Sequence, residues 1–82
     1  MMEDNARWKS NDFYLCAVCI ASGASILSLD RNDNKFVTFT LNISPKKAEE
    51  IITCHWSRKL KIPTRNLIEA INELKTRLHS GV

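Results

Sequence analysis

Residues 25–43 read Ser-Ile-Leu-Ser-Leu-Asp-Arg-Asn-Asp-Asn-Lys-Phe-Val-Thr-Phe-Thr-Leu-Asn-Ile, and they predict a β-hairpin. Leu27 and Leu29 alternate with polar residues before the turn. After the turn the alternating apolar residues are Val37, Phe39, Leu41 and Ile43. A period of two places apolar and polar side chains on opposite faces of a strand. The intervening Asn32-Asp33-Asn34 suits a short loop, because Asn and Asp tolerate left-handed backbone.

An isolated two-stranded hairpin is marginally stable in water, so the remaining segments must cover its apolar face. Residues 1–9 are polar and predict a flexible N-terminal arm. The next segment predicts a helix over residues 12–22, with Ser10 or Asn11 as its N-cap and Gly23 just past its end.

Apolar residues encircle this first helix instead of forming one stripe, which indicates burial on more than one side. One side can cover the hairpin and another can face a second subunit. We therefore predict a homodimer, with candidate interface residues Phe13, Tyr14, Leu15 and Val18.

Two more helices are predicted after the hairpin. The second spans residues 45 to about 59 behind the cap Ser44, with proline at its first position. Its apolar stripe is Ala48, Ile51, Ile52, His55 and Trp56. The third spans about residues 65–79 behind the cap Thr64, and its stripe is Leu67, Ile68, Ile71, Leu74 and Leu78. The prediction is one small α+β domain over residues 10–80, ordered helix, β-hairpin, helix, helix, with the helices packed on one face of the hairpin sheet.

Four segments resemble those of a family of short uncharacterised domains in bacterial and phage genomes. They are Asp-Phe-Tyr-Leu-Cys-Ala at 12–17, Asp30-Arg31, Val-Thr-Phe at 37–39 and Asn-Leu-Ile-Glu-Ala-Ile-Asn-Glu-Leu-Lys at 66–75. The resemblance covers most of the chain and implies the same element order. It implies no active site, because the family has no assigned activity. The chain departs from the family's pattern at Cys16 and Trp56.

Cysteine usage bears on location and on chemistry. Three cysteines, an odd number without disulfide-framework spacing, favour a reducing compartment, and we predict a cytoplasmic protein. The apolar run over residues 13–21 is shorter than the ~20 residues that span a bilayer, and polar residues interrupt the junction that a secretory signal would need. No membrane association is predicted.

Cys16 and Cys19 have Cys-x-x-Cys spacing, and Cys54-His55 could complete a zinc site. Both cysteines of the motif fall inside an apolar helix, where a thiolate would be desolvated, so buried thiols are the favoured interpretation. No nucleophile elbow or glycine-rich phosphate loop is present. We predict no metal, no cofactor and no catalytic activity.

The charge distribution leaves two functions open. No acid lies between His55 and Arg65, whereas eight basic and nine acidic residues stand outside that segment. Cations also occupy helix starts, where the macrodipole favours acids. The candidate nucleic-acid-binding residues are Lys46, Lys47, Trp56, Arg58, Lys59, Lys61 and Arg65, with Trp56 favoured as a core residue by its place on the apolar stripe. The other function is a protein-interaction module, acting as a regulator or assembly subunit.

Overall fold

The computed structural model of the protein describes residues 7–31 and 36–80. In those residues the chain forms, in order, strand β1 (Trp8–Ser10), helix α1 (Phe13–Ala21), strands β2 (Ile26–Arg31) and β3 (Val37–Leu41), and helices α2 (Pro45–Trp56) and α3 (Thr64–Ser80). The predicted α+β class and the order helix, hairpin, helix, helix are confirmed. The predicted loop Asn32-Asp33-Asn34 lies outside the described residues.

Strand β3 is the centre of a three-stranded antiparallel sheet with the order β1-β3-β2. Trp8 stands opposite Leu41 on one side of β3, and Ile26 stands opposite Leu41 on the other. A bulge between Ile26 and Ser28 shifts the register of β2. The prediction of a flexible arm is wrong for Trp8 and Lys9, which belong to β1. Three residues are too few to show an alternating pattern, so this strand is specified by its pairing with β3 and not by its own sequence.

Helix α1 is the centre of the core. It packs against α2, α3 and β3. Cys16, Ala17 and Cys19 are fully buried, and they meet a core whose other large members are Ile26, Phe39, Leu41, Ile51 and Leu74. Five residues of α1 are therefore covered by elements of the same chain, whereas Phe13, Leu15 and Ile20 stay partly exposed. Val18 is only 6% exposed, so its predicted place in a subunit interface is wrong.

The helix ends follow local hydrogen bonding. Asp12, not Ser10 or Asn11, is the N-cap of α1, and its carboxylate accepts the Leu15 N–H at 3.1 Å. The Ser10 hydroxyl oxygen instead accepts the Asp12 N–H at 3.0 Å, which orients the cap. Ser44 caps α2 as predicted, by accepting the Lys47 N–H at 3.1 Å.

Two residues of the predicted apolar stripes lie outside the core. In α3, Ile68 is 53% exposed, whereas Ala70 is buried beside Leu74. Because α3 lies directly against α1, the small Ala70 suits the contact face and Ile68 falls beside it. In α2, Ala48 and Ile51 are buried, but Trp56 is 69% exposed. The last turn of α2 therefore extends past the core.

Candidate nucleic-acid interface

The chain passes from α2 to α3 through a short non-helical connector, residues 57–63. At this end of the molecule Trp56, Arg58, Lys59, Lys61 and Arg65 are all exposed, and we call these five residues the connector surface. Five of the seven candidate nucleic-acid-binding residues are thus consecutive or nearly consecutive on one short stretch of chain.

Hydrogen bonds hold the start of the connector in a defined turn. The Arg58 N–H donates to the His55 carbonyl at 3.1 Å, and the Lys59 N–H donates to the Cys54 carbonyl at 2.9 Å. These are the two bonds of a Schellman motif, which ends a helix with one residue in the left-handed region. Arg58 is that residue, with φ of +65°. Glycine is favoured at this position, and its absence gives no sequence signal for the end of α2. The helix therefore ends at Trp56, three residues before the predicted end near Lys59.

The side chain of Ser57 adds to the same turn. Its hydroxyl donates toward the carbonyls of Thr53 at 2.9 Å and Cys54 at 3.3 Å. The Leu60 N–H donates to the Cys54 carbonyl as well, at 3.1 Å. Several backbone and side-chain bonds therefore converge on the last carbonyls of α2, and they leave the first residues of the connector little conformational freedom.

Half-buried and exposed side chains alternate along the connector. Leu60 and Ile62 are half-buried and pack against the core, whereas Lys59 and Lys61 between and beside them are exposed. The two apolar residues anchor an extended segment, and the two lysines project from its other side. The period of two over residues 59–62 was the signal that could have identified this anchoring.

Trp56 begins the connector surface. The predicted core position of this residue is wrong, because α2 ends at Trp56 and only the preceding turns of the helix reach α1. The indole lies beside the imidazole of His55, with ring centroids 5.0 Å apart and planes inclined by 55°. Most of the indole surface is open to solvent, which a base-stacking role requires.

The seven candidate residues do not form one surface. Lys46 and Lys47 are exposed in the first turn of α2, about 15 Å from Trp56 along a helix that rises 1.5 Å per residue. Arg65 is close to a carboxylate, since its Nε lies 3.4 Å from Oε2 of Glu69. Both side chains are mostly exposed, and such a pair is worth little in water. The exposed candidates within one run of six residues are Trp56, Arg58, Lys59 and Lys61.

The four candidate interface residues of α1 also separate. The Phe13 ring packs edge-on to Phe39 with centroids 6.5 Å apart, which ties Phe13 to the core. Leu15 is half-buried and Val18 is buried. Tyr14, which contacts the Phe13 ring edge-on at 5.1 Å, is 67% exposed. Of the four, only Tyr14 is largely available to a partner.

The cysteines have two environments. Burial raises the pKa of the Cys16 thiol to about 12, while a hydrogen bond with the side chain of Ser10 acts in the opposite direction. Burial raises the pKa of Cys19 to about 11. Cys54 is exposed on α2. Over residues 7–31 and 36–80, no three His, Cys, Asp or Glu side chains are grouped so as to hold a metal ion. The helices of the same residues include none with the length and hydropathy needed to cross a bilayer.

Comparison of the chain with protein-family models, with curated proteins and with solved structures found no match. The resemblance to a family of uncharacterised bacterial and phage domains stays a prediction.

Proposed function

We propose that this chain is a small non-catalytic binding module whose connector surface binds nucleic acid. The observation that carries the proposal is the exposed Trp56 next to the exposed cations Arg58, Lys59 and Lys61, in a segment that contains no acid. Lysine and arginine bind phosphates by releasing condensed counterions, and an aromatic ring adds contact with a base.

The rigid turn supports this proposal. A cation held on an ordered backbone loses less conformational entropy on binding than one on a mobile loop. Arg58 adopts a left-handed conformation that costs free energy for any residue with a Cβ. A local cost with no structural gain is typical of positions retained for function.

A groove beside α3 contains two acidic side chains, and each of them is paired along the helix. An open groove of about 320 Å³ lies between the end of α1 and α3, and its charged residues are Glu69 and Glu73. Each of these carboxylates has an arginine one turn away along α3, at 3.4 Å for Glu69 and at 3.5 Å for Glu73. The other residues that line the groove are uncharged.

The test compares two double charge reversals, one in the connector and one in the first turn of α2. We expect Lys59→Glu/Lys61→Glu to abolish binding of labelled single- and double-stranded DNA and RNA in fluorescence anisotropy at low salt. The matched control is Lys46→Glu/Lys47→Glu, which makes the same change in net charge at the opposite end of α2. Equal loss in the two variants would indicate a response to net charge alone and would contradict the proposal.

The second candidate function is a protein-interaction module, which includes self-assembly as a homodimer. It is favoured by the exposed Tyr14 and by the sheet, in which β1 and β2 each pair only with β3 among the described residues. An open strand edge can accept a further strand from a partner. Light scattering after size exclusion tests the homodimer: a dimeric mass that Tyr14→Glu converts to monomer would support it, and a monomeric wild type would contradict it. A reducing compartment, which we propose to be the cytoplasm, fits three free thiols.

A further inference from the structure

We infer that the connector surface selects single-stranded over double-stranded nucleic acid, by stacking an unpaired base on Trp56 while Arg58, Lys59 and Lys61 contact the adjoining phosphates. This inference rests on the proposed function and specifies its ligand. It follows from the geometry of the ring, from the turn that holds it and from the acids on either side.

The ring requires an unpaired base. An exposed indole can stack only on a base whose face is free, and in a duplex both faces of each internal base are covered by its neighbours. Trp56 stands at the end of α2, with His55 as its aromatic neighbour at 5.0 Å. Base–aromatic stacking is the usual source of affinity in proteins that bind single strands without sequence preference.

The turn after α2 holds the cations that contact phosphates close to the indole of Trp56. Arg58 and Lys59 follow Trp56 within three residues, on a backbone held by bonds of 3.1 and 2.9 Å to the carbonyls of His55 and Cys54. Lys61 projects from the same segment, because Leu60 and Ile62 are anchored in the core. All three cations thus follow the stacking ring within five residues of the chain.

Acids on the flanking helices oppose a duplex. Glu49 and Glu50 on α2 and Glu69 and Glu73 on α3 are all exposed. A duplex is a stiff rod with two rows of phosphates, so it cannot bend to follow the short connector as a single strand can. A flexible strand can contact the connector alone and leave the acids in solvent.

The experiment measures affinity by fluorescence anisotropy for a labelled 12-nucleotide oligo-dT, an oligo-rU of the same length and a 12-base-pair DNA duplex. We expect both single strands to bind more tightly than the duplex. The slope of log K against log salt should be about −2 if three cations each neutralise one phosphate of a single strand. Trp56→Ala should weaken single-strand binding about tenfold or more and leave duplex binding unchanged. Trp56→Phe should recover most of the loss.

Stacking also has a spectroscopic signature. Oligo-dT should quench the tryptophan fluorescence of the wild type, and the quenching should be absent in Trp56→Phe, which retains Trp8. A matched control is Ile68→Ala, which removes another exposed apolar side chain of the neighbouring helix and should bind as the wild type does.

The outcomes separate the two proposals. Equal affinity for duplex and single strand, or no effect of Trp56→Ala, overturns the single-strand inference and leaves nucleic-acid binding standing. If none of the three nucleic acids binds at low salt, both the single-strand inference and the proposed nucleic-acid binding are overturned. Displacement of oligo-dT by poly-glutamate at equal charge concentration would mean that the surface recognises negative charge alone, as in an acidic protein partner, and would overturn the inference too.

Discussion

Gly23 and Arg58 occupy the same position in two turns of the same kind, one at the end of α1 and one at the end of α2. In the first turn the Ala24 N–H donates to the Cys19 carbonyl at 3.1 Å and the Gly23 N–H to the Ile20 carbonyl at 3.0 Å. In the second turn Lys59 and Arg58 make the equivalent bonds. The φ values are +121° for glycine and +65° for arginine. The turn after α1 thus has glycine, which tolerates this conformation, whereas the turn after α2 has arginine.

Arg58→Gly should stabilise the protein by about 0.5–1 kcal/mol, because glycine has no Cβ to strain in the left-handed region. Chemical denaturation by urea measures the change. Gly23→Ala is the matched opposite case: nothing lies within 4 Å of the added Cβ, so any loss reports backbone strain and not a clash. If Arg58→Gly were destabilising, Arg58 would contribute contacts that outweigh the strain. The same variant should weaken oligonucleotide binding, which would separate the role of Arg58 in binding from its effect on stability.

Leu74→Ala should cost about 2–5 kcal/mol, since Leu74 is fully buried where α3 faces the core and truncation leaves a cavity. Ile68→Ala on the same helix should change the free energy of unfolding by less than about 1 kcal/mol, because more than half of the Ile68 side chain is already in water. Urea denaturation of the two variants checks this. Equal losses would place Ile68 in the core, as its sequence pattern predicts.

Cys54 should react with a thiol reagent in the folded protein, whereas Cys16 and Cys19 should react only on unfolding. The thiolate is the reactive species, and burial keeps both inner thiols protonated. The measurement is the number of thiols titrated by a disulfide reagent at pH 8, before and after addition of denaturant. Cys54→Ala should leave the folded protein unreactive. Rapid labelling of two or three thiols in the native state would contradict the buried positions.

Stability should decrease as pH rises above about 9. The pKa values of Cys16 and Cys19 are raised on folding from 9.0 to about 12 and about 11. The stabilisation is complete below the unfolded pKa, and it is lost as the unfolded chain releases protons that the folded chain retains. The free energy of unfolding should fall by up to about 1.4 kcal/mol per pH unit for each thiol. Urea denaturation between pH 8 and 11 should show a shallower decline for Cys16→Ala/Cys19→Ala. Parallel declines would exclude the thiols as the cause.

Thr40→Val should stabilise the protein by about 1 kcal/mol. In the part of the chain that the structure describes, the Thr40 hydroxyl is the buried side-chain oxygen without a hydrogen-bond partner. Valine keeps the branched shape that suits the central strand β3 and removes the cost of desolvating that oxygen. The exposed Thr76→Val serves as the control and should change stability by under about 0.5 kcal/mol. A loss of stability in Thr40→Val would reveal a partner for the hydroxyl in solution.

The sequence by itself determined the elements whose signals are local. The alternation in residues 37–41 specified β3, Ser44-Pro45 specified the start of α2, and Gly23 specified the turn that ends α1. Each of these depends on periodicity or on the backbone preference of one residue, and both can be read without knowing the neighbours. The cations of the connector surface were also recognised from the sequence, because no acid interrupts them.

Only the tertiary structure decided which surfaces meet. Strand β1 exists because β3 offers it a hydrogen-bonding edge, and its own three residues carry no pattern. The apolar residues around α1 predicted burial on more than one side, and α2, α3 and the sheet of the same chain provide much of it, whereas the homodimer stays a prediction. Trp56 fits an apolar stripe by spacing, but it is exposed because α2 extends past the core. Burial depends on what lies opposite a residue, and that is a property of distant parts of the chain.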